Sequence, residues 1–184
     1  MKNFFILILL SGMLISCNKK DEPKVTIKDN LLQTSDLETF PFFYNSGMTI
    51  GFDTEWTTEE SSSPTHSLKI HRTKFDTTVL NYWYQYYMGP MPVGETLTLT
   101  ANIKTDSLNG QGVALAIGCM AGSAQRQFVN TQGDKIINGT TGWTSYSVEM
   151  QDLAGDVTNI IVYMVYLPGT TGTAYFDDIT LTHR

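Results

Sequence analysis

Apolar and polar residues alternate with a period of two through most of the chain after residue 29. The stretch from Leu97 to Ile103 is the clearest example, because Leu, Leu, Ala and Ile alternate there with Thr and Asn. This period is typical of a strand with one buried face. Gly, Pro and Asn separate the alternating stretches, and no stretch has a convincing helical period. The predicted strands are Leu68 to Thr73, Val79 to Met88, Leu97 to Ile103, Val113 to Met120, Gln125 to Asn130, Trp143 to Met150, Asn159 to Leu167 and Ala174 to Thr182.

These strands predict an all-β fold with a single domain over residues 30–184. Roughly eight strands at this spacing favour a two-sheet antiparallel β-sandwich, and the jelly roll is a common form of that architecture for a binding domain. The pair Asn109-Gly110 predicts a turn before the strand that begins at Val113. The cluster Ser61-Ser-Ser-Pro64 predicts a loop.

The first segment of the chain has the pattern of a bacterial lipoprotein signal. A basic start at Lys2 and an apolar run from Phe4 to Leu10 lead to Leu14-Ile15-Ser16-Cys17. We expect residues 1–16 to be a signal peptide, with Cys17 acylated, for example by palmitate, after cleavage. The apolar run is shorter than the roughly 20 residues that a transmembrane helix needs. Residues 17–29 are polar and predict a lipidated tether.

The residues after Cys17 bear on localisation. Asn18 to Glu22 reads Asn-Lys-Lys-Asp-Glu and resembles the charged export tag of Bacteroidota lipoproteins. This resemblance implies an anchor in the outer membrane, with the domain at the cell surface.

The charge balance restricts the possible partners. The chain has 12 Lys and Arg against 18 Asp and Glu, a formal net charge of −6, and loss of Lys2 with the signal peptide leaves −7. Binding to nucleic acid or to anionic lipid requires clustered Lys and Arg. We therefore expect no nucleic acid and a neutral partner. We also expect a monomer whose contact with the membrane is its lipid anchor.

If Cys17 is acylated, Cys119 has no disulfide partner in the chain. Cys119 lies on the same alternating phase as Val113, Leu115 and Ile117, which predicts a buried side chain and not a reactive thiol.

Four segments, in this order, resemble the jelly-roll carbohydrate-binding modules of families 4, 9 and 22 and their galactose-binding-like relatives. Asn30 to Glu38 matches the opening turn of those modules, and His66 to Ile70 matches the strand that follows. Gly94 to Lys104, leading into Gly112-Val-Ala-Leu-Ala, matches the middle strands. Tyr175-Phe-Asp-Asp-Ile179 matches the closing strand. The resemblance implies a jelly roll that binds carbohydrate.

The same resemblance implies a structural Ca²⁺ ion between the two ends of the domain. Its ligands would be the side chain of Glu38, the backbone oxygen of Asp36 and the side chain of Asp177, with a further carbonyl near Lys69. Oxygen ligands of this kind suit Ca²⁺. The alternative is that Asp177 accepts backbone N–H bonds or pairs with a cation of the protein, without metal.

The aromatic stretch from Val79 to Met88 predicts the carbohydrate site. As a strand it has Leu80, Tyr82, Tyr84, Tyr86 and Met88 on one face, which we expect to face the core because apolar residues bound it. The other face combines rings and an amide, which is what sugar C–H surfaces and hydroxyls need. The predicted ligand residues are Trp83, Gln85 and Tyr87, with Asn102 and either Arg126 or Gln127 from neighbouring strands. The alternative is that Trp83 and Tyr87 only cover a sheet.

Three function classes remain, and carbohydrate binding without catalysis is favoured. A glycoside hydrolase needs two suitably spaced carboxylates, and neither such a pair nor a nucleophile motif is recognisable, so a hydrolase or a polysaccharide lyase is the weaker hypothesis. The second alternative is a structural or adhesive lipoprotein that binds a protein partner.

Overall fold

The computed structural model describes residues 29–47 and 50–184. The predicted signal peptide, Cys17 and nearly all of the tether lie outside the described residues. Nine strands occur in the described part: β1 Tyr44–Asn45, β2 Asp53–Thr57, β3 Ser67–Arg72, β4 Asn81–Tyr87, β5 Leu97–Ala121, β6 Ala124–Asn130, β7 Ile137–Met150, β8 Asn159–Tyr166 and β9 Thr171–His183. No helix in this part of the chain has the length and apolar character needed to cross a membrane.

The strands form an antiparallel β-sandwich of two sheets, which confirms the predicted jelly roll. The first sheet contains β7, the first half of β5, β9, β3 and β2 in that order. The second sheet contains β6, the second half of β5, β8, β4 and β1. Strand β5 belongs to both sheets, so that hydrogen bonding is continuous around one side of the sandwich.

A bend in β5 takes the place of the turn predicted at Asn109-Gly110. Gly110 and Gly112 have φ angles of +96° and +81°, which L residues rarely adopt. A Cβ atom on Gly110 would collide with the carbonyl oxygen of Gly169, and one on Gly112 with that of Ile137. The bend carries β5 from one sheet to the other and does not reverse its direction.

The core lies between the sheets and follows the predicted alternation. Leu97, Leu99, Ala101 and Ile103 are buried from the first half of β5, and Val113, Leu115, Ile117 and Cys119 from the second half. Cys119 is completely buried, as predicted, and burial raises the pKa of its thiol to about 11. Buried residues of the other strands complete the core: Leu68, Ile70, Trp83, Ile160, Val162, Met164, Tyr166, Phe176, Ile179 and Leu181.

Candidate functional site

Strand β4 has its two faces in the opposite orientation to the prediction. Trp83 is 8% exposed and belongs to the core, and Gln85 is buried beside it. Tyr82, Tyr84 and Tyr86 point away from the core. The sequence misled because Leu80 and Met88 seemed to mark a core face, whereas both lie outside the strand and are 38% and 74% exposed. The prediction of a ligand face containing Trp83 and Gln85 is therefore wrong.

The polar groups of the buried face are satisfied within the protein. The Trp83 indole N–H donates to the carbonyl oxygen of Lys69 at 3.2 Å. The Gln85 amide pairs with the backbone of Gln33, accepting from its N–H at 2.8 Å and donating to its carbonyl oxygen at 3.1 Å. The Gln85 side chain thus binds the backbone of Gln33 as a neighbouring strand would. Neither the buried amide nor that backbone is left with an unpaired polar group.

The remaining predicted ligand residues lie apart from one another. Tyr87 packs against the core, and its hydroxyl donates to the Pro90 carbonyl oxygen at 2.9 Å. Asn102 lies on the first sheet and donates to the Ser62 hydroxyl and the Asp178 carboxylate, both at 2.9 Å. Arg126 is exposed on β6 and pairs with Asp156 at 3.0 Å. The structure does not combine these side chains into one site.

The outer surface of the second sheet instead presents a cluster of five tyrosines, which we call the tyrosine face: Tyr44, Tyr82, Tyr84, Tyr86 and Tyr163. Tyr44, Tyr84 and Tyr163 lie opposite one another on β1, β4 and β8. Their ring centroids are 5.8 and 6.4 Å apart, and successive ring planes differ by 39° and 36°. Three splayed rings thus form one row across the strands.

The hydroxyl groups of the tyrosine face are open to a ligand. Among the described residues none of these five hydroxyls has a hydrogen-bond partner, and none is buried without one. Burial, with smaller contributions from Tyr82, Tyr86 and Tyr84, raises the pKa of Tyr163 to about 12. Burial also raises the pKa of Tyr84. Tyr84 and Tyr163 are therefore neutral at physiological pH. A phenolic hydroxyl can both donate and accept hydrogen bonds.

Small residues on β5 form the floor beside the rings. Ala114, Ala116 and Gly118 alternate with the core residues of the second half of β5, so they lie on the outer surface of the sheet. Ala114 and Ala116 are nevertheless almost fully buried, because larger side chains cover them. Phe128 of β6 lies opposite Gly118 and borders the floor on the side away from Tyr163.

Sequence reasoning missed this face, although a signal for it was present. The second half of β5 alternates large residues with small ones, and the small set is Ala114, Ala116 and Gly118. Such a set indicates a surface that bulky neighbouring side chains cover. Together with the alternating tyrosines of β4, it would have assigned the rings to the outer surface.

A depression of about 400 Å³ lies between β6 and β7. It is lined by Val129, Asn130, Thr131, Asp134, Lys135, Ser147, Val148 and Glu149. This lining contains no aromatic ring, and its polar groups belong to the edges of the two sheets. The tyrosine face is the better candidate because it combines flat rings with free hydroxyls.

The predicted calcium ligands do converge at the opposite surface of the sandwich. Asp177 is completely buried, and its carboxylate accepts the backbone N–H groups of Ser62 at 2.7 Å and Ser63 at 2.9 Å. The Glu38 carboxylate accepts from the Thr65 N–H at 3.1 Å and from the Thr65 hydroxyl. The carbonyl of Lys69 itself accepts from Trp83 and does not join the cluster.

The Ser63 hydroxyl lies at the centre of this cluster and has more acceptors than it can satisfy. Its oxygen is 3.0 Å from the Asp36 carbonyl, 3.3 Å from Glu38 Oε1 and 3.0 Å from Asp177 Oδ1. A hydroxyl has one proton, so it can donate to only one of these three oxygens at a time. Asp177 Oδ1 and Glu38 Oε1 also accept backbone N–H groups, from Asp178 at 2.7 Å and from Thr65 at 3.1 Å. The three oxygens are of the kind that a hard cation such as Ca²⁺ prefers. Within residues 29–47 and 50–184, no three His, Cys, Asp or Glu side chains are grouped to hold a metal.

The ionisation of the two carboxylates differs. Burial raises the pKa of Asp177, although N–H bonds from Ser63, Ser62 and Asp178 oppose this. Hydrogen bonds from Thr65 lower the pKa of the exposed Glu38 carboxyl. A cation beside Asp177 would offset the cost of its buried charge.

No protein-family model matches this sequence, and no curated protein matches it. Solved structures do match the fold. A cyclase from Fischerella sp. TAU is similar over 86% of this chain and 98% of its own, with a TM-score of 0.66 and 8% identity. TmCBM61 in complex with β-1,4-galactotriose is similar over 84% of this chain and 98% of its own, with a TM-score of 0.53 and 16% identity. The CBM22-1 xylan-binding domain from Paenibacillus barcinonensis Xyn10C is similar over 84% of this chain and 94% of its own, with a TM-score of 0.56 and 12% identity.

At these identities the similarity shows a common fold. It supports the jelly-roll fold that the sequence resemblance implied. The fold is shared by a cyclase and by binding modules, so that it does not by itself specify a ligand.

Proposed function

We propose that this protein binds a neutral glycan through the tyrosine face and does not transform it. The observation that carries the proposal is a set of five tyrosines on one sheet surface whose hydroxyls have no protein partner in the described part of the chain. Sugar C–H surfaces stack on such rings, and sugar hydroxyls bond to the phenolic groups. The outward positions of β4, β8 and the second half of β5 carry no charged side chain of either sign, which favours an uncharged ligand. Two of the similar structures, a galactotriose complex and a xylan-binding domain, support this choice of ligand class.

The test is a glycan array with the full chain, purified in a detergent that contains no sugar. Tyr84→Ala combined with Tyr163→Ala should abolish retention of the bound glycan, because it removes two adjacent rings of the row. Trp143→Ala is the matched control, since Trp143 is a half-buried aromatic residue on β7 of the other sheet. Equal binding by the double variant and the parent would reject the tyrosine face as the site.

The absence of catalysis is part of the proposal. The outward positions of the second sheet supply rings, methyl groups and hydroxyls, whereas a glycosidase works with a pair of carboxylates. Glycans retained on the array should be recovered unchanged after long incubation, as judged by reducing ends and by absorbance of unsaturated sugars. New chain ends would support the hydrolase or lyase hypothesis.

The adhesive alternative concerns the same surface. Phe42, Tyr44, Tyr86 and Met88 are exposed and adjoin the row of rings, and aromatic and Met side chains also suit a protein interface. Retention of an envelope protein, with no glycan bound on the array, would favour this alternative.

Calcium at the Ser63 cluster is the second part of the proposal. The three oxygens around the Ser63 hydroxyl support it. A Ca²⁺ concentration a hundredfold above Kd should stabilise the folded state by about 2.7 kcal/mol. The midpoint of thermal unfolding should therefore rise by about 5–10 °C. Glu38→Gln should remove most of this shift, and Glu149→Gln, on the distant strand β7, should not. Equal midpoints with calcium and with EGTA would exclude the ion.

We place the domain on a lipid anchor at Cys17, in the outer membrane and at the cell surface. The described chain enters the sandwich beside β9, where Leu31 N–H donates to the Leu181 carbonyl at 2.8 Å. The tyrosine face lies on the broad side of the sandwich, where a tethered domain leaves it accessible. Labelling with an alkyne fatty acid should mark the parent and not Cys17→Ser, and protease added to intact cells should remove the domain. Light scattering should give the mass of a monomer.

A further inference from the structure

One part of the tyrosine face is a shallow, open apolar depression over Ala116, which we call the pocket over Ala116. It has a volume of about 230 Å³ and is lined by Leu80, Tyr82, Ala116, Phe128, Tyr163 and Val165. Beside it, at Gly118, atoms of Tyr163 and Phe128 lie 3.3 and 3.7 Å from the position that a Cβ would occupy. The two rings therefore approach each other over the strand and border the pocket on two sides.

The lining of this pocket is almost entirely carbon. Ala116, Val165, Leu80 and Phe128 present only apolar atoms, and the polar atoms of the lining side chains are the hydroxyls of Tyr82 and Tyr163. The two tyrosine rings meet edge to face, with centroids 5.5 Å apart and planes at 78°. A methyl group placed against Ala116 and Val165 gains burial, whereas a hydroxyl placed there loses its hydrogen bonds to water.

We propose that the pocket over Ala116 selects a 6-deoxyhexose, with its methyl group against Ala116 and Val165. This inference rests on the proposed function and names the sugar class that the same face prefers. The adjacent rings of Tyr84 and Tyr44 lie in the same cross-strand row as Tyr163. They provide stacking surface for the sugar residues next to the deoxy residue.

The charge of the lining supports this choice over other sugars. No charged side chain lines the pocket, so it offers no partner for the carboxylate of a uronic acid or for an amino sugar. An ordinary hexose carries a hydroxyl on C6, which this pocket would bury against carbon. Loss of its hydrogen bonds to water corresponds to a factor of about 5 to 100 in affinity.

Matched glycosides provide the test, because each pair differs only in the C6 hydroxyl. Methyl β-D-fucoside is compared with methyl β-D-galactoside, and methyl β-D-quinovoside with methyl β-D-glucoside. The full chain in sugar-free detergent is titrated with each glycoside, and binding is followed by protein-detected NMR. We expect the deoxy glycoside to bind at least about fivefold tighter in at least one pair.

Val165→Thr tests whether this preference comes from the pocket. The substitution places a hydroxyl in the lining at nearly the same volume, so it should bring the affinity ratio of the preferred pair towards one. Val93→Thr is the control, since Val93 is exposed in the loop between β4 and β5 and should leave the ratio unchanged. Unfolding midpoints of both variants establish that they are folded.

Two results would overturn the inference while leaving the proposed function intact. One is glycan retention on the array with no preference for the deoxy glycoside in either pair, or with neither pair binding. The other is a deoxy preference that Val165→Thr does not change. A protein that retains no glycan on the array and binds neither pair overturns both proposals together.

Discussion

The outer surfaces of the two sheets differ in how their polar groups are used. On the first sheet, Lys69 lies 2.9 Å from Glu59 and 3.4 Å from Asp53, and Lys104 lies 2.6 Å from Glu60. The Tyr175 hydroxyl donates to Glu59 at 3.2 Å. On the second sheet, the hydroxyls of the tyrosine face have no such partners in the described part of the chain.

The polar groups of the first sheet stabilise the fold, whereas those of the second sheet are available to a ligand. Polar and charged side chains of the first sheet hold the loop between β2 and β3 in place. Asp177, Asn102 and Lys104 all bind residues 60–63 of this loop. Burial and the N–H bonds make these groups part of the fold. The second sheet leaves its rings and hydroxyls free, which favours a ligand and adds little to stability.

The largest expected effect contrasts two neighbouring residues of β4. Trp83→Ala should lower the free energy of unfolding by about 3–5 kcal/mol, because it removes a large side chain from the core. Tyr84→Ala should lower it by less than about 1 kcal/mol, because Tyr84 lies on the outer surface. Urea unfolding of both variants measures the difference. Similar losses would show that the tyrosine face is itself a structural cluster.

Asp177→Ala should have the next largest effect. It leaves the N–H groups of Ser62, Ser63 and Asp178 without their acceptor, and we expect a loss of about 2–3 kcal/mol in the free energy of unfolding. Asp156→Ala is the control, since its pair with Arg126 is exposed and should contribute little. Glycan retention should be the same in both folded variants. A loss confined to glycan binding would assign Asp177 to the ligand site instead.

The sequence predicted the strands that lie in the middle of the sheets well. Alternation located β3, β4, both halves of β5, β8 and β9 to within a few residues, because each has a face in the core. It also located β6, an edge strand whose residues are mostly exposed. Strands β1 and β2 were missed. Tyr44–Asn45 is too short for a period, and Asp53–Thr57 is an edge strand whose alternation of charged residues with Thr and Trp does not mark a core face.

The site was less predictable, because alternation locates two faces without saying which is inside. In β4 both faces carry rings, and the inner one carries Asn81 and Gln85, which are buried only because Asn45 and Gln33 bind them. Those partners are far away in sequence. The convergence of Asp36, Glu38 and Asp177 was predictable only from the resemblance to known modules, since it joins the two ends of the domain.

The pH dependence of stability should separate the two carboxylates at the Ser63 cluster. Glu38 has a lowered pKa, so its contribution to stability is present above the unfolded value of about 4.5 and is lost as pH falls. Asp177 has a raised pKa, so its contribution is largest below the unfolded value of about 3.8 and is lost as pH rises. In EGTA, Glu38→Gln should weaken the loss on acidification between about pH 6 and pH 3, and Asp177→Asn should deepen it. Urea midpoints across this range provide the measurement, and a change of the same sign in both variants would contradict the assignment.

The smallest effect is expected for an ion pair at the surface of the first sheet. Lys104→Met should change the free energy of unfolding by less than about 1 kcal/mol, because Lys104 and Glu60 are both partly exposed to solvent. Lys69→Met should cost more, because Lys69 is largely buried between Glu59 and Asp53, and those carboxylates would lose their partner. Neither substitution should alter glycan retention, since both residues face away from the second sheet. Raising the salt concentration should remove the effect at Lys104 before that at Lys69, because salt screens exposed charges first. Loss of glycan binding in either variant would place the ligand on the first sheet and reverse the roles assigned to the two surfaces.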